Sequence, residues 1–186
     1  MPDPPAQQTD SGVRRVWLVL IAIATLATLA VPVLYIASDA GERADAARLA
    51  TLDEVRAATE KYKDIRVAKR EGYHRTTECF ESVDGDGAMG AHYQKDSLND
   101  DDVINLRQPE QLLYLPAKNG RPPQLVGVEY YAEFTGQRPP EIGFGRLDGP
   151  MPGHFPGQPK HYDIHVWVHV DNPDGTFNIW NPDVEC

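Results

Sequence analysis

Cationic residues are in short supply: 18 Lys+Arg stand against 28 Asp+Glu, for a formal net charge of -10. That balance leaves no basic footprint for a phosphate backbone and excludes nucleic acid as a partner. Cysteine is scarcer, with Cys79 and Cys186 alone, and neither directly follows the apolar run described below, so a lipid-anchored cysteine is unsupported. There is no Gly-x-Ser-x-Gly elbow, and Ser82 and Ser97 sit in acidic, turn-like stretches without an obvious base. Gly143-Phe144-Gly145 lacks the following helix that would supply free N–H groups to a phosphate, which excludes a nucleotide loop. No internal repeat is visible.

One long apolar run is present. Val16 to Ala37 carries no charge, and about 22 helical residues span roughly 33 Å, enough for a hydrocarbon core of about 30 Å. Trp17 and Tyr35 mark its two ends, where amphipathic rings favour the headgroup level. Arg14 and Arg15 flank one side and a mixed Asp39, Glu42, Arg43 and Asp45 the other. The positive-inside bias therefore predicts a cytoplasmic N-terminus and an extracytoplasmic domain in the cell membrane. The expected organisation is a disordered tail at 1–13, a transmembrane anchor at 14–38 touching the bilayer through 16–37, and one domain at 43–186, near the common domain size. A cleaved signal peptide ending near Ser38-Asp39-Ala40 is the rival, although the run exceeds the usual apolar region of such peptides. Outside the cytoplasm Cys79 and Cys186 are expected to pair; the alternative is two unrelated thiols.

Thr51-x-x-Glu54 has the form of a capping box, and Leu52, Val55, Thr59, Tyr62, Ile65 and Lys69 recur at helical spacing. A helix is predicted that begins in the Ala- and Arg-rich stretch from Glu42 and ends at Gly72. Asp84-Gly85-Asp86-Gly87 and Asn99-Asp100-Asp101-Asp102 read as solvated turns, since neither has EF-hand spacing. Gln111–Leu115 and Leu125–Tyr131 predict a hairpin about the turn at 118–123. Gln137 to Lys160 is dense in proline and glycine and reads as a long loop without ladder hydrogen bonds. Ile164, Val166, Val168 and Val170 then alternate with His165, Trp167 and His169, a strand period, and Thr176–Trp180 is expected to return as its partner after the Asn172-Pro173-Asp174-Gly175 turn. The fold class predicted is α+β: a single N-terminal transmembrane helix, then a helix packed on a mostly antiparallel sheet.

Five motifs occur in fixed order: Gly90-Ala91-His92-Tyr93, Pro109-Glu110-Gln111-Leu112-Leu113-Tyr114, Leu125-Val126-Gly127-Val128-Glu129-Tyr130, Ile164-His165-Val166-Trp167 and Asn172-Pro173-x-Gly175-x-Phe177-x-x-Trp180-Asn181-Pro182-x-Val184-x-Cys186. Over roughly residues 55–186 the chain resembles a family of uncharacterised, exported or membrane-anchored actinobacterial proteins. That resemblance implies no activity. It does imply cysteines at the positions of Cys79 and Cys186, in keeping with a pair.

Histidines carry the candidate chemistry, among them His92, His154, His161, His165 and His169. His161 with His165, or His165 with His169, cannot chelate one ion on a strand: four residues span about 13 Å, whereas ligand nitrogens on one ion stand some 3–4 Å apart. His92, Glu129 and His165 come from three separate segments and would make a two-histidine, one-carboxylate set for Zn²⁺, Fe²⁺ or Cu²⁺. Tyr93 or Tyr130 would then donate to a bound carbonyl or anion. The bland alternative has the histidines in a polar core and Glu129 paired with Arg121 or Arg138. With every catalytic signature weak, the leading expectation is an extracytoplasmic domain binding a small ligand or an envelope protein, and the alternative a metal-dependent enzyme or metal-handling protein at the His/His/Glu set.

Overall fold

The computed structural model describes residues 41–99, 103–154 and 157–186. The expected tail at 1–13, the anchor at 14–38 and the acidic residues 100–102 lie outside the described residues. Among the described residues no helix is long and apolar enough to cross a membrane. Two units divide the chain, Met1–Ala47 and Arg48–Cys186.

Helix α1 occupies residues 41–59. Burial begins where the apolar spacing begins, at Leu52, Val55 and Thr59. Thr51 and Glu54 lie inside α1 rather than at its start, and Glu54 accepts from Arg107 Nε at 2.6 Å, so they are no capping box. The uninterrupted helix to Gly72 is also corrected. After a 3-10 turn at Glu60–Lys63 the chain opens at Asp64, whose Oδ1 accepts from the Arg66 backbone N–H at 3.0 Å and so N-caps α2, Ile65–Arg70. This break resets the helical phase, which is why Ala68 is buried and Lys69 is not. Gly72 takes φ +99, the left-handed conformation expected of it.

The strands are β1 (His74–Arg75), β2 (Phe80–Glu81), β3 (Ala88–Gln94), β4 (Gln111–Leu115), β5 (Gln124–Glu133), β6 (Glu141–Ile142), β7 (Gly145–Arg146), β8 (Asp148–Met151) and β9 (His161–Val166), with a short α3 (Asp96–Asn99) after β3. The main sheet runs β1-β3-β4-β5-β9-β8, with β2 also on β3, and all its pairs are antiparallel. The α+β class therefore holds. Asn119 and Gly120, at φ 54 and 76, turn the β4–β5 hairpin where it was expected. The Pro/Gly-rich stretch, by contrast, is not free of ladder pairing. It forms the β6–β7 hairpin and the edge strand β8, where Pro150 is tolerated because an edge strand need not donate on both sides. Nor does Thr176–Trp180 return as a strand. A turn closed by Asn178 N–H on Gly175 O bends it, and its pairing reduces to Trp167 N–H donating to Thr176 O.

Alternation divides the sheet's side chains between two faces. Tyr93, Leu112, Tyr114, Val128, Tyr130, Ile164 and Val166 join Leu52, Val55 and Tyr62 in the main apolar cluster under the helices. His92, Gln111, Glu129 and His165 point the opposite way, toward a second side closed by the chain's last segment. That segment is fixed at Asn181, which exchanges backbone hydrogen bonds with Ala88 at 3.1 Å each way. Gly87 makes the approach possible: at φ +99, a Cβ there would stand 2.0 Å from Asn181 O. The disulfide Cys79–Cys186, Cα–Cα 5.6 Å, closes the end of the chain onto the β2 side.

The strand alternation expected to reach Val170 stops at Val166, and Val168 N–H turns back onto Val166 O. His169 consequently meets the helix. Thr59 Oγ1 donates to Val55 O at 2.7 Å and so receives Nε2–H of His169 at 2.8 Å. With its side chain 1 % exposed, burial pushes His169 from the ordinary 6.5 to about 4. The unfolded chain therefore protonates first as pH falls: this contribution is complete above about pH 6.5 and disappears on descent to pH 4, up to about 3 kcal/mol. His169→Gln is expected to flatten the dependence of unfolding free energy on pH across that window, measured by urea denaturation at half-unit steps.

Candidate metal centre

His92 sits on β3, Glu129 on β5 and His165 on β9, and Glu129 pairs in register with His165. β4 lies between β3 and β5, with Leu113 opposite both His92 and Gly127. Lacking a side chain, Gly127 admits the close approach of Val166 O, 2.8 Å from where its Cβ would be. All three side chains are buried, His165 at 0 %, Glu129 at 2 % and His92 at 7 % exposure.

Three donor atoms converge. His92 Nε2 is 3.0 Å from Glu129 Oε2 and 3.4 Å from His165 Nε2, and His165 Nε2 is 3.8 Å from the same Oε2. Atoms with these separations lie on a circle of radius about 2.0 Å, so an ion at or just off its centre stands at the metal–imidazole and metal–carboxylate distance of about 2.0–2.1 Å from each. The group can hold a metal ion. Glu129 Oε2, completely buried, meets His92 Nε2 at 3.0 Å without hydrogen-bond geometry, whereas Gln111 Nε2 donates to Oε1 at 3.4 Å. A buried carboxylate oxygen without a hydrogen bond is costly unless something cationic completes it.

Protonation favours that use. Burial alone would push the Glu129 carboxyl up, but the facing imidazoles of His92 and His165 outweigh it and hold the group below the usual carboxylate range. Burial pushes His165 down against the pull of Glu129, so its imidazole is neutral at pH 7. Carboxylate and neutral imidazole are the forms that bind cations. Thr77 Oγ1 lies 3.0 Å from His92 Nδ1 and also accepts the His92 backbone N–H at 2.9 Å. In the metal-competent tautomer Nδ1–H donates to Thr77, leaving the Nε2 lone pair on the centre. Thr77→Val is thus expected to weaken metal affinity about 10–100-fold, with recovery in Thr77→Ser, by competition with a chromophoric chelator.

The group opens on a cavity of about 310 Å³, at the small end for ligand pockets. Phe80, Met89, Ile179 and Trp180 make most of its wall apolar, and His92, Glu129 and His154 are among its polar lining. Tyr93 and Tyr130 are not there. Both lie on the helix side of the sheet, where Tyr130 donates to Leu106 O at 2.6 Å, so their expected role as donors to a bound ligand is corrected. Glu129 faces His92, His165 and Gln111 rather than Arg121 or Arg138, both exposed.

His161 and His165 fall in separate groups, as their strand spacing required. His161 instead joins His154 and Asp163 in a second donor cluster. The sequence alone does not single out this cluster. Its available signal was that Asp163, two residues from each of His161 and His165, must share their face of the strand. Hydrogen bonds to Asp163 and Pro159 outweigh burial and raise the His161 imidazole above its ordinary value. No family model matches the chain, and no curated protein or solved structure matches it either.

Proposed function

We propose that residues 48–186 form a metal-dependent binding domain for a small molecule, built on a divalent transition ion held by His92, Glu129 and His165. The observation that carries this reading is the circle of about 2.0 Å on which the three donor atoms lie. Three protein ligands leave coordination positions open, as centres that engage exogenous ligands do. When bound, the ion supplies a Lewis acid at the cavity wall formed by His92 and Glu129. The chain's own groups do the rest: Phe80, Met89, Ile179 and Trp180 receive an apolar body, and the burial of Glu129 and His165 excludes competing water. The molecule that fits has a small apolar body and one oxygen or nitrogen donor.

The compartment belongs to the same proposal. Residues 14–38 anchor the chain with its N-terminus in the cytoplasm and the domain outside, where disulfides persist; the Cys79–Cys186 bond supports this placement. Protease added to intact cells is expected to digest the domain, and full protection of residues 48–186 would contradict it.

For the metal, elemental analysis of the full chain, purified without a histidine tag or chelator, is the test. A stoichiometric transition ion is expected, reduced by one equivalent in His165→Ala. Metal-free protein that also takes up neither Zn²⁺, Fe²⁺ nor Cu²⁺ in calorimetry would overturn the reading.

A further inference from the structure

The second donor cluster lies beside the first, on the same face of the sheet. Asp163 is displaced from His165 along β9 by about 7 Å, too far for one ion to serve both. We propose that His154, His161 and Asp163 hold a second ion, that the sulfur of Met151 is its fourth donor, and that this makes it a copper site.

The geometry is that of a ligand set with its outer support in place. His161 Nδ1 lies 2.9 Å from Pro159 O, which can only accept, so Nδ1 carries the proton and Nε2 is the ligating nitrogen. That Nε2 faces Asp163 Oδ2 at 3.1 Å, and His154 Nε2 is 3.9 Å from the same oxygen. The ligand atoms of all three residues lie within 4.8 Å of one another. Met151 Sδ is 3.3 Å from His154 Nε2, which brings a thioether to the edge of the cluster. Tyr131 stacks on the His161 ring at 4.8 Å and fixes its orientation.

Donor chemistry selects the ion. Imidazoles bind zinc, copper, nickel and iron alike, but a thioether is a soft ligand that favours Cu(I), and among divalent ions copper heads the general affinity order. Asp163 adds a charge that suits the oxidised state. His161 and Asp163 are buried, at 0 % and 2 % side-chain exposure, while His154 is 30 % exposed and also lines the cavity that reaches His92 and Glu129. The second ion therefore shares this cavity through its most exposed ligand, His154. This site stands on its own donors and does not depend on occupancy of the first.

The test is copper stoichiometry of the untagged full chain, as Cu²⁺ and, with ascorbate, as Cu⁺, in the wild type, His154→Gln and Met151→Leu. Thermal unfolding of each variant before loading establishes that it is folded. His154→Gln is expected to lose one copper equivalent, whether or not His165→Ala removes another. Met151→Leu is expected to weaken Cu⁺ binding at this site about tenfold and to move Zn²⁺ affinity less than twofold. Undiminished copper in His154→Gln, loss of every bound ion in that variant from a wild type holding two, or unchanged Cu⁺ affinity in Met151→Leu would each overturn the proposal.

Discussion

His165→Ala is expected to lower the affinity of the buried centre by two to three orders of magnitude. Structural zinc sites with four protein ligands yield about 10–16 kcal/mol; shared among the ligands, that is about 3–4 kcal/mol for each, or a factor of some hundreds in dissociation constant. Glu129→Gln is expected to lose a similar amount, because it keeps the volume and removes the anionic donor whose Oε2 faces both imidazoles. In the metal-free protein Glu129→Gln keeps the side-chain volume, so its melting curve reads any cost to the fold apart from loss of the ligand. The two readouts separate loss of a ligand from loss of the fold. Ion at 1,000 times its dissociation constant stabilises by about 4 kcal/mol, so saturating metal should raise the wild-type melting temperature by on the order of 10 °C and leave both variants near their metal-free values. Calorimetric titration with melting curves checks both; equal affinity in wild type and His165→Ala would refute the centre.

Breaking the Cys79–Cys186 bond is the second change of large expected effect. The cysteines are 107 residues apart, and closing a loop of that size removes unfolded-state entropy worth about 4–5 kcal/mol. For a domain of about 140 residues this corresponds to a fall in melting temperature of roughly 10–20 °C. Cys79→Ala and Cys186→Ala should behave alike, and the double variant should lose no more than either, because a single bond is removed. A functional consequence comes with it. Ile179 and Trp180 roof the cavity on the segment that ends at Cys186, so the reduced protein should release its metal faster to an excess of chelator. Thermal unfolding with and without reductant measures the first effect. A difference below 1 kcal/mol would mean that the Ala88–Asn181 pairing alone holds the segment.

The parts of the fold legible in the sequence are those governed by local periodicity and turn chemistry. Alternation along Ile164-His165-Val166 placed His165 opposite the aliphatics, Asn119-Gly120 set the β4–β5 hairpin, and Gly72 closed the helical region with positive φ. His92, Glu129 and His165 were nameable because each interrupts an apolar strand with a metal-binding side chain. Their convergence was not readable, since it depends on the order β3-β4-β5-β9 and on Gly127, which are properties of the sheet. The helix break was hidden because Asp64 as a cap and Asp64 as an exposed helical residue look the same in one sequence. β8 was hidden by its proline and glycine, which an edge strand accommodates. His154 stood among the candidate histidines, but its partners were hidden, because only the tertiary structure brings it to His161 and Asp163.

The centre stands or falls on where an ion rests. Crystals of the full chain loaded with Zn²⁺, with diffraction recorded on both sides of the zinc edge, should show an anomalous peak within about 2.0–2.2 Å of His92 Nε2, His165 Nε2 and Glu129 Oε2. No density between those three atoms at saturating zinc, with His92 Nε2 and Glu129 Oε2 still in direct contact, would contradict it.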